Sequence, residues 1–209
     1  MSATAINIAS MSATVIEYDQ AMGRWEPNAH GRLEQAALEL YVEHGFEQTT
    51  VAEIAQRAGL TERTFFRHFA DKREVLFQGA ASLQELLVNT VAGAPDASTP
   101  IDAIAAALET AGTVLGERPA LARQRQTVIA ANPELREREL IKLAALAAAL
   151  AGALRARGVS DPTAGLAAEA GIAVLKIAFE RWVHESNQRD LPRLLRESLD
   201  ELRAVTAGS

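Results

Sequence analysis

Proline positions the helices of this chain. Five of its seven prolines follow a helix-start signal: Thr99-Pro100, Arg118-Pro119, Asn132-Pro133, Asp161-Pro162 and Asp190-Leu191-Pro192. Proline fits the first turn of a helix, where no intrahelical bond needs its missing N–H, and it disrupts helix interiors and central strands. Helix starts of this kind recur, and period-2 alternation is sustained nowhere beyond the N-terminal tail, so the sequence predicts an all-α protein.

The other boundaries follow from caps and apolar spacing. The first helix should run from Asn28 to His44, with Leu33, Ala36, Ala37, Leu40 and Tyr41 on one face and Gly45 stopping it. Thr50-Val51-Ala52-Glu53 reads as a capping box opening a second helix to Ala58. Gly59-Leu60-Thr61 breaks the chain before a third, Glu62 to about Phe69. Asp71-Lys72-Arg73-Glu74 reads as another box, opening a fourth helix over 71–92. After the loop Gly93–Pro100, five more helices end near Leu115, Ala131, Gly158, Ser186 and Ala204, for about nine in all. The expected organisation is a flexible extension (1–27), a unit of short helices (28–75) joined by helix four, and a larger helical unit (76–209).

Composition removes whole classes of chemistry. The absence of cysteine excludes disulfides, Cys-ligated metals and thiol nucleophiles. The four histidines, His30, His44, His68 and His184, are far apart and lack metal-ligand spacing, so no metal is expected. With no nucleophile–base pair and no Gly-rich phosphate loop, neither an enzyme nor a cofactor is expected. No run approaches about 18 uninterrupted apolar residues, and the start lacks the basic and apolar regions of a secretory signal. The expected place is the cytoplasm, without membrane association. Only Lys72, Lys142 and Lys176 among 21 basic residues are lysine, as in chains from GC-rich bacterial genomes.

Residues 32–76 carry the most information. Two short helices separated by a glycine-containing turn form a helix-turn-helix pattern, whose second helix can enter a DNA major groove. Ala55 and Ala58 are small enough for the helix contact, and Gly59 can take positive φ. The overall charge of −6 argues against general coating of nucleic acid. Residues 57–73 nevertheless carry a local +3: Arg57, Arg63, Arg67, Lys72 and Arg73 against Glu62 and Asp71.

Arg32-Leu33, Ala36 to Tyr41, Gly45 to Ala55, Ala58 to Thr61, Thr64 to Phe69 and Asp71 to Glu74 closely resemble the N-terminal domain of TetR-type transcriptional regulators, collinear over about 45 residues. The resemblance implies three DNA-binding helices, a connecting fourth, and a helical ligand domain that dimerises through its last two helices. It implies a palindromic double-stranded operator, a small-molecule effector and a homodimer. By position, Thr50 would hold a phosphate. Thr61, Glu62, Arg63 and Thr64 would face bases, with Arg63 best suited to guanine. Phe66, Arg67 and His68 would follow on the groove side, and Lys72 would meet a phosphate. Many relatives carry tyrosine where Phe66 stands; Phe66 has no hydroxyl for a phosphate, leaving apolar contact.

For the remaining chain the resemblance is at family level. Ile172, Leu175, Phe179, Trp182, Leu195, Leu199 and Leu202 form stripes suited to a four-helix dimer interface, or to their own subunit's core. Candidate effector contacts are the apolar Leu108, Leu121, Val128 and Leu146 and the polar Arg123, Gln124 and Lys176. Residues 132–140 and 178–183 look similar to regulators associated with fatty-acyl-CoA ligands, which makes an acyl-CoA or other hydrophobic effector a candidate. The alternative is an all-α acyl-CoA-like binding protein or enzyme with an incidental helix-turn-helix.

Overall fold

A computed structural model describes residues 28–184 and 189–208. The expected N-terminal extension, 1–27, lies outside the described residues. Nine α-helices and no strand occur among the described residues: α1 (Ala29–His44), α2 (Val51–Arg57), α3 (Glu62–His68), α4 (Ala80–Ala92), α5 (Pro100–Gly116), α6 (Pro119–Ala131), α7 (Pro133–Ala156), α8 (Asp161–Val183) and α9 (Leu191–Ala207). A 3-10 turn, Glu74–Phe77, precedes α4.

The caps act as the sequence proposes. The Asn28 side chain accepts from Gly31 N–H, and Gly45 follows α1 at φ 87°. The Thr50 hydroxyl accepts from Glu53 N–H while the Glu53 carboxylate reaches back to the Thr50 amide. Prolines occupy the first turns of α5 through α9.

Helix four differs from expectation. Asp71 caps the 3-10 turn, accepting from the amides of Arg73 (2.8 Å) and Glu74 (3.0 Å). Glu74 does not complete a box; its carboxylate pairs with Arg138 and Lys142 of α7. Val75, Leu76 and Phe77 are all buried. Three consecutive side chains on an α-helix spread over most of its circumference, so burying all three needs partners on several sides. Those partners come from α1, α6 and α7. Gly79, at φ 76°, then restarts the chain as α4.

Two hydrophobic clusters result. The larger joins α4, α5, α7, α8 and α9. The smaller joins α1, α2, α3 and the 3-10 turn to Val128 and Ile129 of α6 and Leu135 of α7, with Leu121 packed against it. In space, therefore, the N-terminal unit extends past residue 75 and includes part of α6 and α7. Polar contacts reinforce the junction. The Arg125 guanidinium donates to the Leu76 carbonyl and lies 5.3 Å from the Phe77 ring centre. It also pairs with Glu139, but burial is the larger influence and pulls its pKa down. Arg73 pairs with Glu134 (2.6 Å) and Arg118 with Glu34 (3.2 Å).

α8 is long and apolar enough to cross a membrane by length and composition, although Glu169 and Lys176 interrupt its run. Its inward side, including Ala164, Ala168, Ile172, Leu175 and Trp182, is part of the larger core.

Candidate nucleic-acid interface

The turn between α2 and α3 is built from short hydrogen bonds. Gly59 N–H donates to Gln56 (2.9 Å) and Leu60 N–H to Ala55 (2.8 Å). Gly59 sits at φ 66°, and a Cβ there would come within 2.8 Å of Arg32 Nη2. The positive φ selects glycine, and a Cβ would also push on the end of the Arg32 side chain. Ala55 and Ala58 are buried where α2 meets its neighbours. The Arg32 guanidinium reaches across from α1 to the Ala58 carbonyl, holding the end of α2. Sequence reasoning gave Arg32 no role. Its place in the TetR-like motif was the available signal, but its target, 26 residues away, was not visible.

α3 divides sharply into two faces. Phe65 and Phe69 are buried with ring centres 5.4 Å apart. Glu62, Arg63, Phe66, Arg67 and His68 are exposed, and Phe66 shows 55% of its surface. Thr61 caps α3, its hydroxyl accepting from Thr64 N–H at 3.2 Å. The two hydroxyls are 3.1 Å apart. Among the described residues no hydrogen bond or ion pair engages Arg63 or Arg67. His68 meets His30 of α1 edge-on, with ring centres 5.6 Å apart. Partial burial, then the His30 and Arg67 charges, hold its pKa below the usual value.

Two expected phosphate ligands are already engaged. The Thr50 amide and hydroxyl both donate to Glu53 Oε2, at 2.7 and 2.8 Å. These bonds hold the Glu53 carboxyl below the usual carboxylate range. Lys72 Nζ donates to the carbonyls of Phe46 (2.8 Å), Thr49 (2.9 Å) and Glu47 (3.2 Å), and lies 4.5 Å from the Phe46 ring centre. All three ammonium protons are thus used within the fold. Nearby, the Tyr41 hydroxyl donates to the Lys72 carbonyl (2.6 Å) and buried Thr49 donates to the carbonyl of Gly45 (2.9 Å). Arg57 forms a two-pronged pair with Glu43 and turns away from α3. That supports its reading as a surface charge.

The effector candidates are not gathered around one cavity. Leu108 and Leu146 lie in the larger core, Val128 in the smaller core with Leu121 packed on it. Gln124 and Lys176 are exposed. Arg123 lines a cleft between the ends of α5 and α8 and the starts of α6 and α9. The dimer candidates lie mostly on the inward side of α8 and α9. Ile172, Leu175, Trp182, Leu195 and Leu199 are buried within their own subunit, and Phe179 and Leu202 are half-buried against the same core. α8 is apolar on more than one side, so sequence periodicity did not say which stripe faces inward. The outward one carries Leu166 (73% exposed), Ala173 and Ile177 (50% exposed).

A three-helix unit presenting a polar, cationic recognition helix, packed against a helical second unit, defines the class of helix-turn-helix transcriptional regulators. Bacterial regulatory proteins of the tetR family match residues 34–78, and the MftR C-terminal domain matches residues 98–207, more than half of the chain. The chain belongs to the TetR family of transcriptional regulators, which are DNA-binding proteins and not enzymes. It is 37% identical over 76 residues to the HTH-type regulator TcmR of Streptomyces glaucescens, a stretch covering 36% of this chain and 34% of TcmR. It is 26% identical over 178 residues to the transcriptional regulator MftR of Mycobacterium tuberculosis, covering 81% of this chain and 87% of MftR. The fold also resembles SmeT bound to triclosan (TM-score 0.63, 23% identity, 86% of this chain and 91% of SmeT). SmeT is a Stenotrophomonas maltophilia efflux-pump repressor. FadR of Bacillus subtilis with stearoyl-CoA is similar as well (TM-score 0.59, 22% identity, 82% of this chain and 96% of FadR).

Proposed function

We propose that this regulator is a cytoplasmic repressor that binds a palindromic operator as a homodimer and is released by a small, largely apolar effector. The observation that carries the reading is the division of α3: two phenylalanines lock it from beneath, and Arg63, Phe66 and Arg67 stand exposed on the outer side, with His68 beside them against His30. Arg63 reads a guanine edge with its fork of donors. Phe66 packs against a thymine methyl. Arg67 and His68 reach bases or phosphates, and Thr61, Glu62 and Thr64 border the same groove. Thr50 serves first as the cap that aims α2, and Lys72 as a strut beneath the interface.

Two recognition helices must lie about 34–36 Å apart to enter successive major grooves. We place the dimer seam on the outward face of α8, where Leu166, Ala173 and Ile177 have no cover in the monomer. The effector acts through α6 and α7, which share the core of the N-terminal unit. A shift of α6 moves Val128, Ile129 and Arg125, and with them the 3-10 turn and α3. A ligand that binds the shifted arrangement more tightly weakens operator binding by that difference. Long-chain acyl-CoAs are reasonable first effectors, because FadR of Bacillus subtilis carries stearoyl-CoA.

The test is fluorescence anisotropy on DNA from the regulator's own upstream region, beside a scrambled duplex, at two salt concentrations. Nanomolar, sequence-selective binding that weakens with salt supports the reading. Equal weak binding to operator-sized duplexes from every site recovered by genome-wide selection refutes it. Catalytic turnover of an acyl-CoA would favour the enzyme alternative instead.

A further inference from the structure

We propose that the cleft holding Arg123 is the receiving site for an organic anion, the charged end of the effector. This rests on the reading of the chain as an effector-controlled regulator and adds the effector's chemical class and the seat of its charge. The cleft measures about 540 Å³ and is lined by Gly112, Gly116, Pro119, Arg123, Trp182 and Pro192, among others. That size suits a small molecule.

Arg123 is an exception among the half-buried arginines of the described residues. Arg73, Arg125, Arg138 and Arg181 each pair with a carboxylate. Arg157 donates to the carbonyls of Ala92, Ala94 and Pro95. The Arg123 side chain has no ion pair or hydrogen bond among the described residues; its Nε is buried without a partner, as are those of Arg73 and Arg138, but those two guanidiniums have a carboxylate. A half-buried guanidinium that faces a cleft with no acid beside it is free to take an anion from solution. One turn further along α6, at a spacing that puts both side chains on one helix face, Gln126 Oε1 is likewise buried and unpartnered. The guanidinium supplies a fork of donors suited to a carboxylate or phosphate; Gln126 is not among the residues lining the cleft.

The acids lining the cleft do not neutralise Arg123. Glu117 is exposed, and Asp190 is held at the start of α9, accepting from Arg193 N–H at 2.8 Å. Arg189 already pairs with Glu197. Trp182, Pro119 and the bare backbone of Gly112 and Gly116 offer an apolar bed for the rest of the molecule. Binding here acts on α6, the helix whose Arg125 grips the 3-10 turn. The site is therefore one short step from the DNA-binding unit.

The test uses Trp182 fluorescence in a Trp25→Phe background, which leaves a single indole. The probes are decanoate, decyl phosphate and the neutral methyl decanoate. At least one anion should shift the Trp182 emission saturably, with the ester silent at equal concentration. A response to the carboxylate alone or the phosphate alone identifies the acid group preferred. Arg123→Gln should weaken anion binding about tenfold or more. Arg123→Lys, which keeps the charge but not the fork, should lose less, and exposed Arg136→Gln should change nothing. No response to either anion, equal binding of the ester, or unchanged affinity in Arg123→Gln overturns the site. If Arg123→Gln does not fold, an unchanged affinity in Arg123→Lys together with ester binding overturns it. Operator binding is measured on the same samples without ligand. Wild type that binds operator but ignores the anions refutes only this site, whereas wild type that binds no operator refutes the regulator reading itself.

Discussion

Arg63 and Lys72 are cations nine residues apart with different employment. Arg63 stands in solvent at the start of α3 with no hydrogen bond or ion pair among the described residues, and Lys72 spends its three protons on carbonyls. Arg63→Ala should therefore cost about 1–3 kcal/mol of operator affinity and relax base choice at one position, read by anisotropy across a panel of single-base variants. Lys72→Met should lower folding stability by about 1–3 kcal/mol in urea unfolding, since three carbonyls, two of them partly buried, lose a charged donor. The slope of log affinity against log salt should stay unchanged in that variant; a drop of about one would make Lys72 a phosphate contact after all. The sequence showed both side chains in TetR-like positions, but the carbonyl targets of Lys72 lie more than twenty residues upstream. His68 adds a pH dependence. Burial first, then His30 and Arg67, favour its neutral form in the fold. The stability this contributes is complete above about pH 6.5, the unfolded value, and is lost as pH falls toward the folded pKa. Ring-proton NMR should place the His68 midpoint below the usual histidine value, and His30→Gln should raise it.

Element boundaries were legible wherever they depend on neighbours in sequence. Thr50, Thr61, Thr99 and Asp190 all cap the helices that their spacing announced. The start of helix four was not, because Asp71 supplies a true cap that opens only a 3-10 turn. The decision is made by burial: Val75, Leu76 and Phe77 are all buried in one cluster, and Gly79 supplies the left-handed residue that lets α4 restart. Gly79→Ala should cost about 1–2 kcal/mol in thermal or urea unfolding, the penalty for a Cβ at that φ. Nothing lies within 4 Å of such a Cβ, so the loss is conformational and not steric. A neutral or stabilising result would mean that the turn relaxes into a continuous helix.

At the scale of the whole molecule, the two clusters are joined through α6 and the first turns of α7, and this is the route we propose for effector control. The dimer seam belongs to the same scale. Glutamates at both Leu166 and Ile177 should give a monomer by light scattering, with the helical content kept, because both side chains are largely exposed in the single chain. Operator affinity should fall by about 100-fold or more as the two half-sites lose their linkage. Glutamates at Ile172 and Leu175, by contrast, should unfold the subunit, because those side chains lie in its own core.

The sequence by itself determined the all-α class, the helix starts, the helix-turn-helix and the family. Caps, prolines and apolar periods act within a few residues, and the motif is collinear. Only the tertiary structure decided which stripe of α8 turns inward, where Lys72 sends its protons, and that helix four is divided. It also decided that α6 belongs to both cores and that Arg123 lacks an acid. Each of these depends on what lies opposite a side chain in space, and an alanine- and leucine-rich helix can bury more than one of its faces.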